Sequence, residues 1–165
     1  MTNITSMTGT SNPSTIFIIE DDPLMAECIS RAASKTLVSS KNNSSANSPT
    51  IKIFPDAISA INALSDYLPD LIILDILLNG PDGFTFLNEI ISYTDTAKIP
   101  VIIVTSLNLS SENLTHYDVR TVLNKETMTP ADIQKAVHAA LQSIEAHDVT
   151  SEQPNSLIES PAHAR

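Results

Sequence analysis

A handful of ionisable and hydroxyl side chains stand immediately after apolar blocks in this sequence, and together they have the makings of a phosphoryl-transfer site. Glu20-Asp21-Asp22 follows Ile16-Phe17-Ile18-Ile19, Asp75 follows Leu71-Ile72-Ile73-Leu74, and Thr105-Ser106 follows Val101-Ile102-Ile103-Val104. Lys125 stands just past Thr121-Val122-Leu123. Carboxylates gathered in one place repel one another, and a hard divalent cation relieves that repulsion. Mg²⁺ suits a site with few carboxylates, some water and a phosphoryl oxygen among its ligands. Asp75 then has a second possible role, as a nucleophile toward phosphorus, with the metal screening the approaching anions. An ammonium at Lys125 and a hydroxyl at Thr105 are the groups that would hold the phosphoryl oxygens afterwards.

That chemistry requires a fold that brings these block ends together. A further block, Ile51-Lys52-Ile53-Phe54, brings the apolar segments to five, and three of them are uninterrupted apolar runs. Such runs are expected of parallel strands covered on both faces. Helical spacing fills the intervals. Leu24, Met25, Cys28, Ile29, Ala32 and Ala33 form one stripe, with Asp22 as N-cap and Pro23 in the first helical position. Ala57, Ile61, Leu64 and Leu68 follow a cap at Asp56; Phe84, Leu87, Ile90 and Ile91 make a third stripe, after Asp82. Ser110 to His116 is a short helix of low apolar content, the fourth in order. In the fifth, Thr129 caps, Pro130 opens, and Ile133, Ala136, Val137, Ala140, Leu141 and Ile144 line one face.

Fivefold alternation of strand and helix predicts a doubly wound α/β domain with a five-stranded parallel sheet, flavodoxin-like (βα)5, strand order 2-1-3-4-5. In such sheets ligands bind outside the carboxyl ends of the strands, where the strand order reverses. The first and third strands are neighbours there, so Glu20, Asp21 and Asp75 should share one shallow pocket. Asp22, Asp56 and Asp82 are read as caps and turn formers. Ser39 to Pro49 is a low-complexity loop at the opposite edge of the sheet, where an insertion leaves the site alone.

The expected organisation is a disordered tail over 1–14, a domain over 15–147 with a flexible loop inserted at 39–50, and a disordered tail over 148–165. Too few residues follow Ala146 for a further DNA-binding or enzymatic domain. The net charge of −10, from 19 acidic against 9 basic residues, disfavours nucleic acid and anionic membrane surfaces as partners. No apolar run is long enough to span a bilayer, and Met1 to Thr15 lacks the pattern of a signal peptide. The single cysteine, Cys28, excludes an internal disulfide and agrees with a reducing, cytoplasmic location; its spacing places it among packed apolar residues. The four histidines share no metal-ligand spacing.

From Thr15 to Ala146 the sequence resembles a response-regulator receiver domain of two-component signalling, of the stand-alone kind. The motifs are Ile18-Ile19-Glu20-Asp21-Asp22, Asp75 through Asp82-Gly83, Pro100 through Thr105-Ser106, and Leu123-Asn124-Lys125. The resemblance implies a switch that takes a phosphoryl group on Asp75 from a histidine kinase or a histidine phosphotransfer protein. It implies Mg²⁺ on Asp21, Asp75 and the Leu77 backbone carbonyl, with Glu20 bound through water. It makes Thr105 and Lys125 the phosphate-binding switch residues, Val122 the switch position, and the fourth helix, fifth strand and fifth helix the face for a downstream protein, with the signal leaving by protein contact or by phosphorelay. Enzymatic activity beyond self-phosphorylation and slow autodephosphorylation is not expected.

Three positions depart from the family pattern. The proline after the lysine is Glu126, the proline four residues after the phosphoacceptor is Asn79, and the switch aromatic is Val122. These departures favour a rival reading, a receiver-shaped scaffold that binds a partner without being phosphorylated. The intact acidic pair, Asp75, Thr105 and Lys125 oppose it. A haloacid-dehalogenase-like phosphatase would need an acid at Leu77, and a flavodoxin would need a hydroxyl-rich loop where Glu20-Asp21-Asp22 stands.

Overall fold

The computed structural model describes residues 14–36, 48–109 and 114–148, with side chains described through 143. Nearly all of both expected tails, most of the 39–50 loop, the first part of the Ser110–His116 helix and the side chain of Ile144 lie outside the described residues. The strands are β1 (Thr15–Ile19), β2 (Thr50–Phe54), β3 (Leu71–Leu74), β4 (Val101–Thr105) and β5 (Val119–Asn124). The helices are α1 (Pro23–Lys35), α2 (Ala57–Leu64), α3 (Gly83–Ile91) and α4 (Pro130–Asp148). All strand pairs are parallel and the order is β2-β1-β3-β4-β5, as the alternation predicts.

Side chains alternate along the three central strands and divide the core in two. Phe17, Ile19, Ile72, Leu74, Val101 and Ile103 face one way and pack with Ala57, Ala60, Phe86, Leu87 and Ile90 of α2 and α3. Ile16, Ile18, Leu71, Ile73, Ile102 and Val104 face the other way, against α1 and α4. Each central strand is buried on both faces, which is why its sequence reads as a continuous apolar run rather than an alternation. β2 and β5 are the edges, and their mixed sequences match their partial exposure.

The helix starts follow from their caps. Asp22 Oδ1 accepts from Leu24 N at 2.8 Å, Asp56 Oδ1 from Ser59 N at 2.7 Å, and Asp82 Oδ1 from Thr85 N at 2.8 Å. Thr129 and Asp132 bond reciprocally at the head of α4: Thr129 N donates to Asp132 Oδ2 at 2.9 Å and Asp132 N to Thr129 Oγ1 at 3.4 Å. Each such cap typically stabilises a helix by about 1 kcal/mol.

The apolar stripes differ from the expected ones at several positions. α1 buries Ala26, Ile29, Ala32 and Ala33, leaving Leu24 73% exposed and Cys28 exposed as well. The sequence carries two overlapping apolar arcs, and the one with small residues packs because it lets α1 approach the sheet and α4. α2 stops at Leu64, so Leu68 is an exposed residue outside it. Leu68 precedes Pro69, which disfavours helical backbone at that position. In α3 the buried aromatic is Phe86, with Phe84 only partly buried and Ile91 exposed. Among the described residues no α-helix stands between β4 and β5. There the chain makes a tight turn at Leu114–Asp118, with Leu114 buried and Tyr117 packed beside it.

Candidate functional site

Strand register sets the site. β1 and β3 pair with Ile19 opposite Leu74, so Glu20 and Asp75 leave adjacent strands at the same level. Asp75 N donates to Ile19 O at 2.9 Å, and Glu20 N to Phe54 O at 3.0 Å, extending the ladder to the acidic residues. β4 and β5 pair with Thr105 opposite Asn124, and Lys125 N donates to Thr105 O at 3.0 Å. Glu20, Asp75 and Thr105 are 2%, 3% and 0% exposed, while Asp21 is half-buried.

One carboxylate oxygen from each of Glu20, Asp21 and Asp75 falls within 4.8 Å of the others. Lys125 reaches across from the end of β5: Nζ donates to Asp75 Oδ2 at 2.6 Å and to Glu20 Oε1 at 2.9 Å. Glu20 Oε2 lies 2.7 Å from the same ammonium, so both oxygens of this buried carboxylate face Lys125. Burial pushes the Glu20 carboxyl above its ordinary value, and the pull of Lys125 does not fully offset it. Burial pulls Lys125 down, but its bonds to Asp75 and Glu20 outweigh this and hold it above its ordinary value.

These residues fit a divalent cation. Three close carboxylates against one ammonium leave two negative charges uncompensated, which is the charge such an ion brings. The all-oxygen donor set suits a hard ion such as Mg²⁺.

The loop after β3 is held tightly. Leu77 N donates to Asp75 Oδ1 at 2.9 Å, and Gly83 N closes the loop onto Ile76 O at 3.0 Å. A Cβ at Gly83 would lie 2.6 Å from Asp75 O and 2.7 Å from Ile76 Cα, so only glycine allows this approach. Asn79 Nδ2 donates to Asp21 Oδ2.

Thr105 Oγ1 accepts from Leu107 N at 3.4 Å. Val122 pairs with Ile103 on the edge strand and is 38% exposed. The Leu77 and Leu107 side chains are exposed. The structure thus brings Glu20, Asp21, Asp75 and Lys125 into one cluster, puts Thr105 beside it at the neighbouring strand end, and leaves Val122 on the edge.

Two asparagines escaped the sequence reading as functional residues. Asn79 was legible only as a missing proline. Asn124 Oδ1 accepts from Glu126 N at 2.8 Å, and Met128 N donates to Asn124 O at 2.8 Å. This Asx turn fixes the chain after β5 without a proline. The signal was an asparagine directly before the lysine, a turn former at a strand end.

Comparison with known proteins agrees with this fold. The response regulator receiver domain family matches residues 16–138. A protein-glutamate methylesterase/protein-glutamine glutaminase of Cereibacter sphaeroides is 36% identical over 102 residues, 60% of this chain and 24% of that protein. The chain therefore spans about a quarter of that relative's length. Among solved structures, the receiver domain of a Pseudomonas aeruginosa sensor histidine kinase, with magnesium coordinated in its active-site cleft, superposes with a TM-score of 0.63. It is 20% identical over 79% of this chain and 98% of its own. The Mn²⁺-bound response regulator Rcp1 gives a TM-score of 0.55 at 24% identity, covering 87% of this chain and all of its own. The fold and the family match define a receiver domain of two-component systems. This chain belongs to the response regulator receiver family.

Proposed function

We propose that this receiver domain is switched by phosphorylation of Asp75, with Mg²⁺ held by Asp21, Asp75 and the Leu77 carbonyl, and by Glu20 through water. The observation that carries this reading is the buried Asp75 carboxylate, clustered with two further acids and 2.6 Å from the Lys125 ammonium. A carboxylate oxygen of Asp75 attacks the phosphorus of a phosphohistidine on a kinase or phosphotransfer protein. The oxygen–phosphorus bond forms, the nitrogen–phosphorus bond breaks, and its electron pair stays on the departing imidazole. Mg²⁺, when bound, offsets the charge of the phosphoryl oxygens and the clustered acids. Lys125 exchanges part of its contact with Asp75 for a phosphoryl oxygen, and the Thr105 hydroxyl donates to another.

The signal then passes by protein contact, through the face made by the Leu114–Asp118 turn, β5 and α4. With a net charge of −10, nucleic acid and anionic membrane surfaces are poor partners. Among the described residues no helix is long and apolar enough to cross a membrane, and the single cysteine suits a cytoplasmic setting. Incubation with acetyl phosphate and Mg²⁺ followed by intact mass tests the reading. One added phosphoryl group, absent in Asp75→Asn, supports it. Its absence from the wild type favours the scaffold reading, in which Val122 at the edge leaves no aromatic lever to turn inward.

A further inference from the structure

We propose that Asn79 is a positioning residue that holds Asp21 ready for the divalent cation. This rests on the metal role given to Asp21 above. Among the described residues, the bond from Asn79 Nδ2 is the one hydrogen bond to the Asp21 side chain, since Lys125 pairs with Glu20 and Asp75 instead. A carboxylate only accepts, so it is the NH₂ end of the amide that faces it. With Oδ2 engaged, Oδ1 and the remaining lone pair of Oδ2 stay open to a metal. In this pose an Asp21 oxygen stands within 4.8 Å of oxygens from Glu20 and Asp75. A half-exposed carboxylate would otherwise sample several rotamers and lose that freedom on binding. The Asn79 amide removes the loss in advance.

The loop is shaped to deliver this contact. The Gly83–Ile76 bond pinches its base, and Asp82 fixes its exit by capping α3. Beside Asn79, Gly80 takes φ of +96°, a left-handed backbone that side-chain-bearing residues rarely adopt. The receiver pattern has proline at position 79, which offers no side-chain donor.

Partners that orient a metal ligand commonly matter 10- to 100-fold in affinity. The test is a Mg²⁺ titration of the full chain followed by backbone amide shifts, with urea midpoints checked alongside. Asn79→Ala and Asn79→Pro should each bind Mg²⁺ about 10- to 100-fold more weakly than wild type. Without metal, Asp21→Ala should move the Asn79 side-chain amide resonance. Unchanged Mg²⁺ affinity in Asn79→Ala, or an Asn79 amide indifferent to Asp21→Ala, overturns the proposal while leaving the phosphorylation reading intact. A wild type that shows no saturable Mg²⁺ shifts at Glu20, Asp21 and Asp75 overturns both.

Discussion

Lys125 Nζ and Leu77 N divide the two oxygens of Asp75 between them, the ammonium on Oδ2 at 2.6 Å and the amide on Oδ1 at 2.9 Å. The carboxylate is therefore fixed at both ends before any phosphodonor arrives, and a fixed nucleophile loses less entropy on attack.

Removing the ammonium should be costly. Lys125→Ala would leave buried Glu20 and Asp75 without their shared counter-charge, for a loss of roughly 2–4 kcal/mol of stability in the absence of metal. Urea unfolding in EDTA measures it, and saturating Mg²⁺ should recover part of the loss. A variant as stable as wild type in EDTA would mean that solvent already screens the cluster.

Neutralising Glu20 should have the opposite sign. A carboxyl raised in the folded state contributes its stability below its unfolded value of 4.5 and loses it as pH rises through the higher folded value. Metal-free Glu20→Gln should therefore melt above wild type at pH 7, with the gain shrinking as pH falls toward 4.5. Thermal melts at a series of pH values check this, and a gain that grows on acidification contradicts it.

Gly83→Ala should disturb the site from behind. Its Cβ would meet backbone at 2.6 and 2.7 Å, and backbone cannot swing aside as a side chain can. Overpacking of this kind costs about 1–3 kcal/mol, and the shift falls on Asp75 and Ile76. Both the urea midpoint and the rate of phosphorylation by acetyl phosphate should drop. An unchanged rate would show that the loop accommodates the methyl without moving Asp75.

The phosphorylated form should be long-lived. By resemblance to the family, the side chains of Leu77 and Leu107 border the path of the hydrolytic water, and neither can hydrogen-bond to it. Replacing Leu77 by Asn and Leu107 by Glu should speed the decay of phosphoprotein by about tenfold, the effect of one contact worth about 1.4 kcal/mol. The decay is followed by intact mass after phosphodonor removal. Equal lifetimes would assign the rate to another feature.

The sheet was legible because burial on two faces leaves a plain mark, an unbroken apolar run, and because the caps Asp22, Asp56, Asp82 and Thr129 use side chains that do little else at helix starts. The clustering of Glu20, Asp21 and Asp75 was legible from acids at strand ends, since register brings such ends level. What escaped depends on tertiary choice. Hydropathy cannot rank Leu24 and Cys28 against Ala26 and Ala33 when small size decides which arc of α1 approaches its neighbours. Nor can spacing reveal that Asn79 reaches Asp21, 58 residues away along the chain, because that contact exists only once β1 and β3 are paired.

Where the family pattern uses a proline ring after the lysine, this chain uses the bond from Glu126 N to Asn124 Oδ1. A ring is a permanent clamp, whereas a hydrogen bond is a latch. At a net worth of about 1 kcal/mol the latch is open for about a sixth of the time. Lys125 stands between the two latched residues, so the cation that steadies Asp75 rides on a turn that can yield. Strengthening or weakening that bond should change how often the ammonium is in place, with no alteration to Asp75 or Lys125 themselves.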